Sequence, residues 1–309
     1  MRISLRGACL VFLALLLTGC EDWEGIGSSD RYKEDFHFSY PLNPGGKVQL
    51  ENMNGSVEIT GWDKDAVDID GTKYANKEQR LREIKIDVAP SAGSITIRTV
   101  PPLDRRGNAG ARYVIHVPRR AELASIVSSN GSIRVDTIDG HARLKTSNGA
   151  VRARRLNGSL DVQTSNGSVE VSDVVGDTVL HSSNGGIHAE VKQGSFEATT
   201  SNGGIDVRLM EKDANPVRLE SSNGHIDLTM DAAREVHAGT SNSSIVVRMP
   251  ASAAATVRAH TSNASITSDF DVSVRGGVLS KHRLEGSIGG GGPLLDLATS
   301  NGGIKLLRQ

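Results

Sequence analysis

Aromatic side chains are scarce: Phe, Trp and Tyr make up only 4 % of the 309 residues. An interior short of large rings must be narrow and built from Val, Ile, Leu and Ala, which suits a thin stacked core better than the deep core of a globular enzyme. Cysteine is scarcer still. Cys9 and Cys20 are the only two, so no disulfide can hold the body together. Excess charge of one sign is also missing, with 35 basic against 36 acidic groups. That balance excludes the concentrated cationic surface nucleic-acid binding needs, so no nucleic-acid partner is expected. A single long apolar run occurs, Ala8 to Leu17, and it is too short to span a bilayer.

That run follows Arg2 and Arg6 and precedes Leu17-Thr18-Gly19-Cys20, the layout of a secretion signal. The last four of these residues resemble the bacterial lipobox, in which the peptide is cut before a cysteine that carries lipid. The resemblance implies a signal peptide at 1–19, lipidation (palmitate) at Cys20, and a membrane partner reached through that anchor. Residues 20–35 are polar without apolar periodicity and read as a flexible tether. The expected location is the bacterial cell envelope, on the periplasmic face or the cell surface.

What is abundant is glycine, 34 residues, and one phrase. "KTSNGAV" from Lys145 to Val151 recurs as "QTSNGSV", "HSSNGGI", "TTSNGGI" and further near-copies. Its asparagines are Asn130, Asn148, Asn166, Asn184, Asn202, Asn223, Asn242, Asn263 and Asn301, spaced by 18, 18, 18, 18, 21, 19, 21 and 38. The last gap is twice 19, and "LEGSI" around Glu285 reads as the degenerate repeat it skips. Four places before each Asn stands an apolar residue, two places before a Ser or Thr, and three places after an Ile or Val. Alternate residues of a strand share a face, so each unit holds one inward-facing strand before the Asn and one after it. The parity breaks at Ser-Asn-Gly, which is therefore a corner: Asn tolerates turn conformations, and Gly allows close approach or positive φ. Gly140, Gly158, Gly176 and Gly194 mark a second corner.

The expected fold is all-β, a β-solenoid of stacked two-strand rungs of about 18–21 residues. The alternative is a series of antiparallel hairpins, because Asn-Gly between alternating strands is also a strong hairpin signal. Stacking explains better why Asn falls on Asn and Thr on Thr. Residues 121–309 form the regular array. Residues 36–120 read as an irregular part of the same body, with "LENMNGSVEI" around Asn54, "SAGSITI" aligned on Ala92, and a short helix in "NKEQRLREI".

With "PGGKVQLENMNGSVEITGWD", "YVIHVPRRAELASIVSSNGSI" and the serial "SNG" repeats, residues 36 to 309 resemble the bacterial "putative adhesin" family of β-strand-repeat proteins of unknown function, related to the autotransporter-adhesin head (GIN) domain. The resemblance implies a β-solenoid-like fold at the cell envelope. It supplies no catalytic residues.

Chemistry is harder to place. "DKDAVDIDG" lacks the first and last ligands of a calcium loop, which would fall on Ala66 and Lys77. No catalytic constellation, metal site or cofactor is expected. Arg143, Lys145, Arg152 and Arg154 lie on adjacent repeats with no acid between Asp139 and Asp161; they read first as part of a mixed solvated face and alternatively as a basic patch for an anionic ligand. The function expected is that of a non-enzymatic, lipid-anchored envelope protein contacting a glycan, cell-wall polymer or protein. The alternatives are an accessory or sensor subunit of an envelope-stress system and a polysaccharide-acting β-helix enzyme.

Overall fold

The computed structural model describes residues 30–91, 93–104, 107–210, 215–274 and 278–309. The segment expected to be a signal peptide, Cys20 and the start of the expected tether lie outside them. Among the described residues the strands form two long sheets, one of 13 strands and one of 14. Each rung gives one strand to each sheet: Ala142–Thr146 lies in the 14-stranded sheet, and Val151–Asn157, past the Asn148 corner, in the other. Successive rungs pair in parallel and in register, Leu144 beside Val162, Val162 beside Leu180, and Val151 beside Val169. The repeat is thus a β-solenoid, and its parallel pairing excludes the hairpin alternative there.

Both inner faces are aliphatic. Leu144, Leu180 and Leu219 from one sheet face Val151, Ile187 and Ile226 from the other, each 1 % exposed or less. Every such side chain contributes about 1.5–3 kcal/mol of burial free energy. Larger rings gather at the N-terminal end, where the Phe36 ring meets Tyr113 edge-on at 5.5 Å. Burial pushes the Tyr113 hydroxyl up to about 12, and its 2.6 Å hydrogen bond with Thr99 opposes that rise only in part.

Parallel stacks need closed ends, because an open edge is a template for further pairing. Antiparallel strands do this at the N-terminal end. Tyr32–Pro41 pairs with Ala66–Ala75, which pairs with Ala109–Pro118, while Lys85–Ser91 covers Ser94–Val100 in the second sheet. "NKEQRLREI" supplies the helix Glu78–Glu83 at this end.

Stacking order departs from chain order at both ends, and two expectations are corrected here. First, Lys47–Asn54 pairs directly with Glu122–Asn130. The segment aligned on Ala92 stacks on the far side of it, with Lys47 beside Ser94 and Leu50 beside Ile97. "SITI" is therefore a strand of the type that leads into a corner, because the hairpin with Lys85–Ser91 carries it into the 14-stranded sheet. Second, "LEGSI" is not a skipped rung. It lies in Arg283–Ile288, which runs antiparallel to Ala255–Thr261. The glycine run 289–292 then reverses the chain, and Leu294–Thr299 enters between Val236–Thr240 and Ala255–Thr261. The last repeat in sequence is thus the next-to-last rung in space.

Close stacking explains the glycine after each Asn. A Cβ on Gly149, Gly167 or Gly185 would stand 2.0, 1.7 or 1.8 Å from the carbonyl oxygen of the equivalent glycine one rung below. Close approach, not left-handed backbone, selects glycine there. At the second corner both reasons apply: Gly158, Gly176 and Gly194 have φ of 151, 141 and 114° and would bring a Cβ within 2.4 Å of the preceding glycine. By contrast, a Cβ on Gly239 meets nothing within 4 Å. Gly167→Ala is therefore expected to lower stability by about 2–3 kcal/mol, and Gly239→Ala to change it by less than about 0.5 kcal/mol. Urea midpoints at unchanged m-value test the contrast.

Candidate functional site

Two ladders of polar side chains run along the Ser-Asn-Gly corner. The inner ladder is the Ser/Thr column, buried from Ser128 to Thr299. Each hydroxyl bridges two rungs: Ser182 Oγ accepts the Gly185 N–H at 2.9 Å and donates to the Gly167 carbonyl at 3.3 Å. Thr200 repeats this with Gly203 and Gly185, and Thr299 with Gly302 and Ser243. A buried hydroxyl with both functions satisfied stabilises its rung, whereas one left unpaired would cost about 1–3 kcal/mol.

The outer ladder is made by the asparagines. In stacking order they are Asn54, Asn130, Asn148, Asn166, Asn184, Asn202, Asn223, Asn242, Asn301 and Asn263. Each Nδ2 donates to the Oδ1 of the residue before it at 2.6–2.8 Å. Asn54 ends the row by donating to the Ala109 carbonyl at 2.8 Å. The amides all point the same way, so their dipoles add along the row. Beside them the serines that precede each Asn, from Ser129 to Ser300, stand exposed. The corner thus presents a uniform Ser–Asn spine with a step of about 4.8 Å.

The basic patch read as the alternative for Arg143, Lys145, Arg152 and Arg154 does not assemble. Arg143 and Lys145 precede the Asn148 corner and point out of the 14-stranded sheet. Arg152 and Arg154 follow it and point out of the other, on the opposite side of the body. Three of the four also meet acids from the next rung: Arg143 with Asp161 at 3.1 Å, and Arg152 and Arg154 with Glu170 at 2.8 and 3.1 Å. Hydrogen bonds from Arg152 and Arg154 hold the Glu170 carboxyl below the usual range. These acids are distant in sequence, sixteen to eighteen residues on, and adjacent only in the stack. In the same way Arg155, in left-handed backbone with φ 50°, bonds back to Asp136 and Thr137.

A more distinctive feature lies on the outer face of the 14-stranded sheet. Three places before the corner asparagines, the outward residues in stacking order are Thr199, Glu220, Gly239, Ala298 and His260. Gly239 and Ala298, the two smallest, leave a depression of about 470 Å³ between Glu220 and His260, walled by the exposed serines. On its other flank His237 Nε2 lies 3.8 Å from Glu220 Oε1 and His237 Nδ1 3.5 Å from Asp296 Oδ2. Arg218 closes on Glu220 at 2.5 Å. Gly239 and Ala298 are 59 residues apart, and no sequence signal joins them. Among the described residues no group of three or more His, Cys, Asp or Glu side chains converges to hold a metal ion.

The family model Toastrack DUF4097 matches residues 45–307, most of the chain. Two solved structures are similar to it. One is a "putative cell adhesion protein" from Clostridium sporogenes, 11 % identical with a TM-score of 0.23, covering 89 % of this chain and 100 % of that one. The other is a "putative adhesin" from Bacteroides fragilis, 13 % identical with a TM-score of 0.40, covering 89 % and 97 %. No curated protein matches the chain.

The ladder makes a quantitative expectation. Asn166→Ala removes two ladder bonds and Asn263→Ala, at the end of the row, removes one. At about 0.5–1 kcal/mol per solvent-facing bond, the first substitution should cost about twice the second. Equal losses in urea titrations would show that the ladder bonds are not what the asparagines contribute.

Proposed function

The chain belongs to the Toastrack DUF4097 family, and from that premise we propose that it is a non-enzymatic envelope lipoprotein whose β-solenoid contacts an extended envelope or matrix polymer. The observation that carries this reading is the exposed Ser–Asn spine, the same chemistry repeated rung after rung along one edge. A reacting centre is needed once, whereas a polymer offers the same group many times, and a periodic surface engages it at many points. Many weak contacts in parallel give useful avidity without a deep pocket. Adhesion and attachment to cell-wall polymer are two uses of this one property.

Lipid attachment at Cys20 belongs to the same proposal. It would hold the protein at the membrane, with the solenoid projecting from it by the tether.

Full-length protein in detergent is expected to co-sediment with at least one insoluble polymer among peptidoglycan sacculi, cellulose and chitin. Absence from every pellet, with unchanged attachment of cells lacking the protein, overturns the binding reading. Cys20→Ser is expected to leave the detergent-rich phase and to take up no labelled fatty acid. Persistence of either property overturns the anchor.

A further inference from the structure

We propose that the depression floored by Gly239 and Ala298 is a binding site for a linear, uncharged saccharide chain lying along the solenoid axis. This inference rests on the polymer-binding reading above and gives it a place and a ligand class.

The site is built by an interruption in an otherwise filled column. Along the outer face the column carries His181, Thr199 and Glu220, then Gly239 and Ala298, then His260. The two small residues are consecutive because the C-terminal rung is inserted between the Asn242 and Asn263 rungs. The space above them is open, as the absence of any atom within 4 Å of a Cβ on Gly239 demonstrates.

The lining chooses the ligand. Ser222, Ser241 and Ser300 form one wall, and each hydroxyl both donates and accepts. Glu220 at one end accepts only, and His260 stands at the other. Such a surface complements closely spaced hydroxyl groups. It offers anions no pairing, since no lysine or arginine lines the depression and its one carboxylate is already taken up by Arg218. An apolar peptide finds no large aliphatic or aromatic side chain in the lining. Nor can an extended peptide add as a strand, because the floor strands Val236–Thr240 and Leu294–Thr299 are paired on both edges.

The spacing selects further. The serine wall repeats at about 4.8 Å, comparable to the advance of one sugar in a linear chain, whereas an extended peptide advances about 3.4 Å per residue and drifts out of register. A saccharide running across the rungs would therefore meet one serine hydroxyl at each sugar.

The test is calorimetric titration of the full-length protein with cellohexaose, chitohexaose and laminarihexaose, followed by the same titrations on variants. At least one of these should bind. Gly239→Trp projects an indole into the depression from a position where a Cβ meets nothing within 4 Å, and is expected to weaken binding by about tenfold or more. Ala298→Gln, on the exposed neighbouring position, should weaken it in the same direction and guards against a folding defect in the first variant. Gln163→Trp, in the same column several rungs away, should bind as the parent does. Unchanged affinity in both Gly239→Trp and Ala298→Gln overturns the site. Pelleting with an insoluble polymer that neither substitution affects, with no hexasaccharide bound, overturns the site while leaving the polymer-binding reading intact. Failure of all hexasaccharides and all polymers overturns both.

Discussion

Parallel stacking in register is the constraint on which everything else depends. Each residue has, about 4.8 Å above and below it, the residue at the same place in the neighbouring rung. Only some side chains tolerate that company. An amide does so well, since it carries a donor and an acceptor, and the asparagine row results. A hydroxyl does so if it can bridge backbone groups, as Ser182 and Thr200 do. Aliphatic side chains pack on their own kind. Like positive charges do so only when each has an acid on its other side, as the register partners Arg134 and Arg152 do with Glu58 and Glu170; elsewhere opposite charges meet, Arg143 with Asp161 and Lys192 with Asp173. Where Asp206 and Asp227 are register partners, His225 lies within hydrogen-bond distance of the first and Arg248 pairs with the second.

The same constraint explains why glycine follows the asparagine in most rungs. In the rungs that carry glycine the corner backbone passes so close to the carbonyl below that a Cβ would clash with it. Ser243 and Ala264 occupy this column in two late rungs, and nothing in the structure accounts for their tolerance there.

A stack that repeats itself is uniform along its length, and a specific site requires the repetition to fail somewhere. It fails near the C-terminal end. A hairpin straddles Ala255–Thr261, with Arg283–Ile288 on one side and Leu294–Thr299 on the other, and the second arm displaces a rung from its chain order. The displaced rung completes the asparagine row and also sets Ala298 beside Gly239 and Asp296 beside His237. Glu220, which lines the depression, is held by Arg218 and lies near His237, itself beside Asp296, so the depression borders a set of polar contacts that no single repeat contains.

Much of this was legible in the residues alone. Period, inward and outward faces, the two corners and the helix in "NKEQRLREI" follow from local patterning, because a rung is a local object whose hydrophobic parity and turn residues are written within about twenty positions. Asn148 and its equivalents announced a ladder because only stacking explains such fidelity. What one rung cannot encode is which rung lies next to it. The place of Ser94–Val100, the antiparallel path of "LEGSI", the separation of Arg143 from Arg152 onto opposite faces, and the meeting of Gly239 with Ala298 were all decided by tertiary structure. Every rung presents nearly the same edge to its neighbours, so the local sequence scarcely distinguishes one stacking order from another. The choice falls to the ends, where capping strands must cover the open edges and the chain must return to fill the gap.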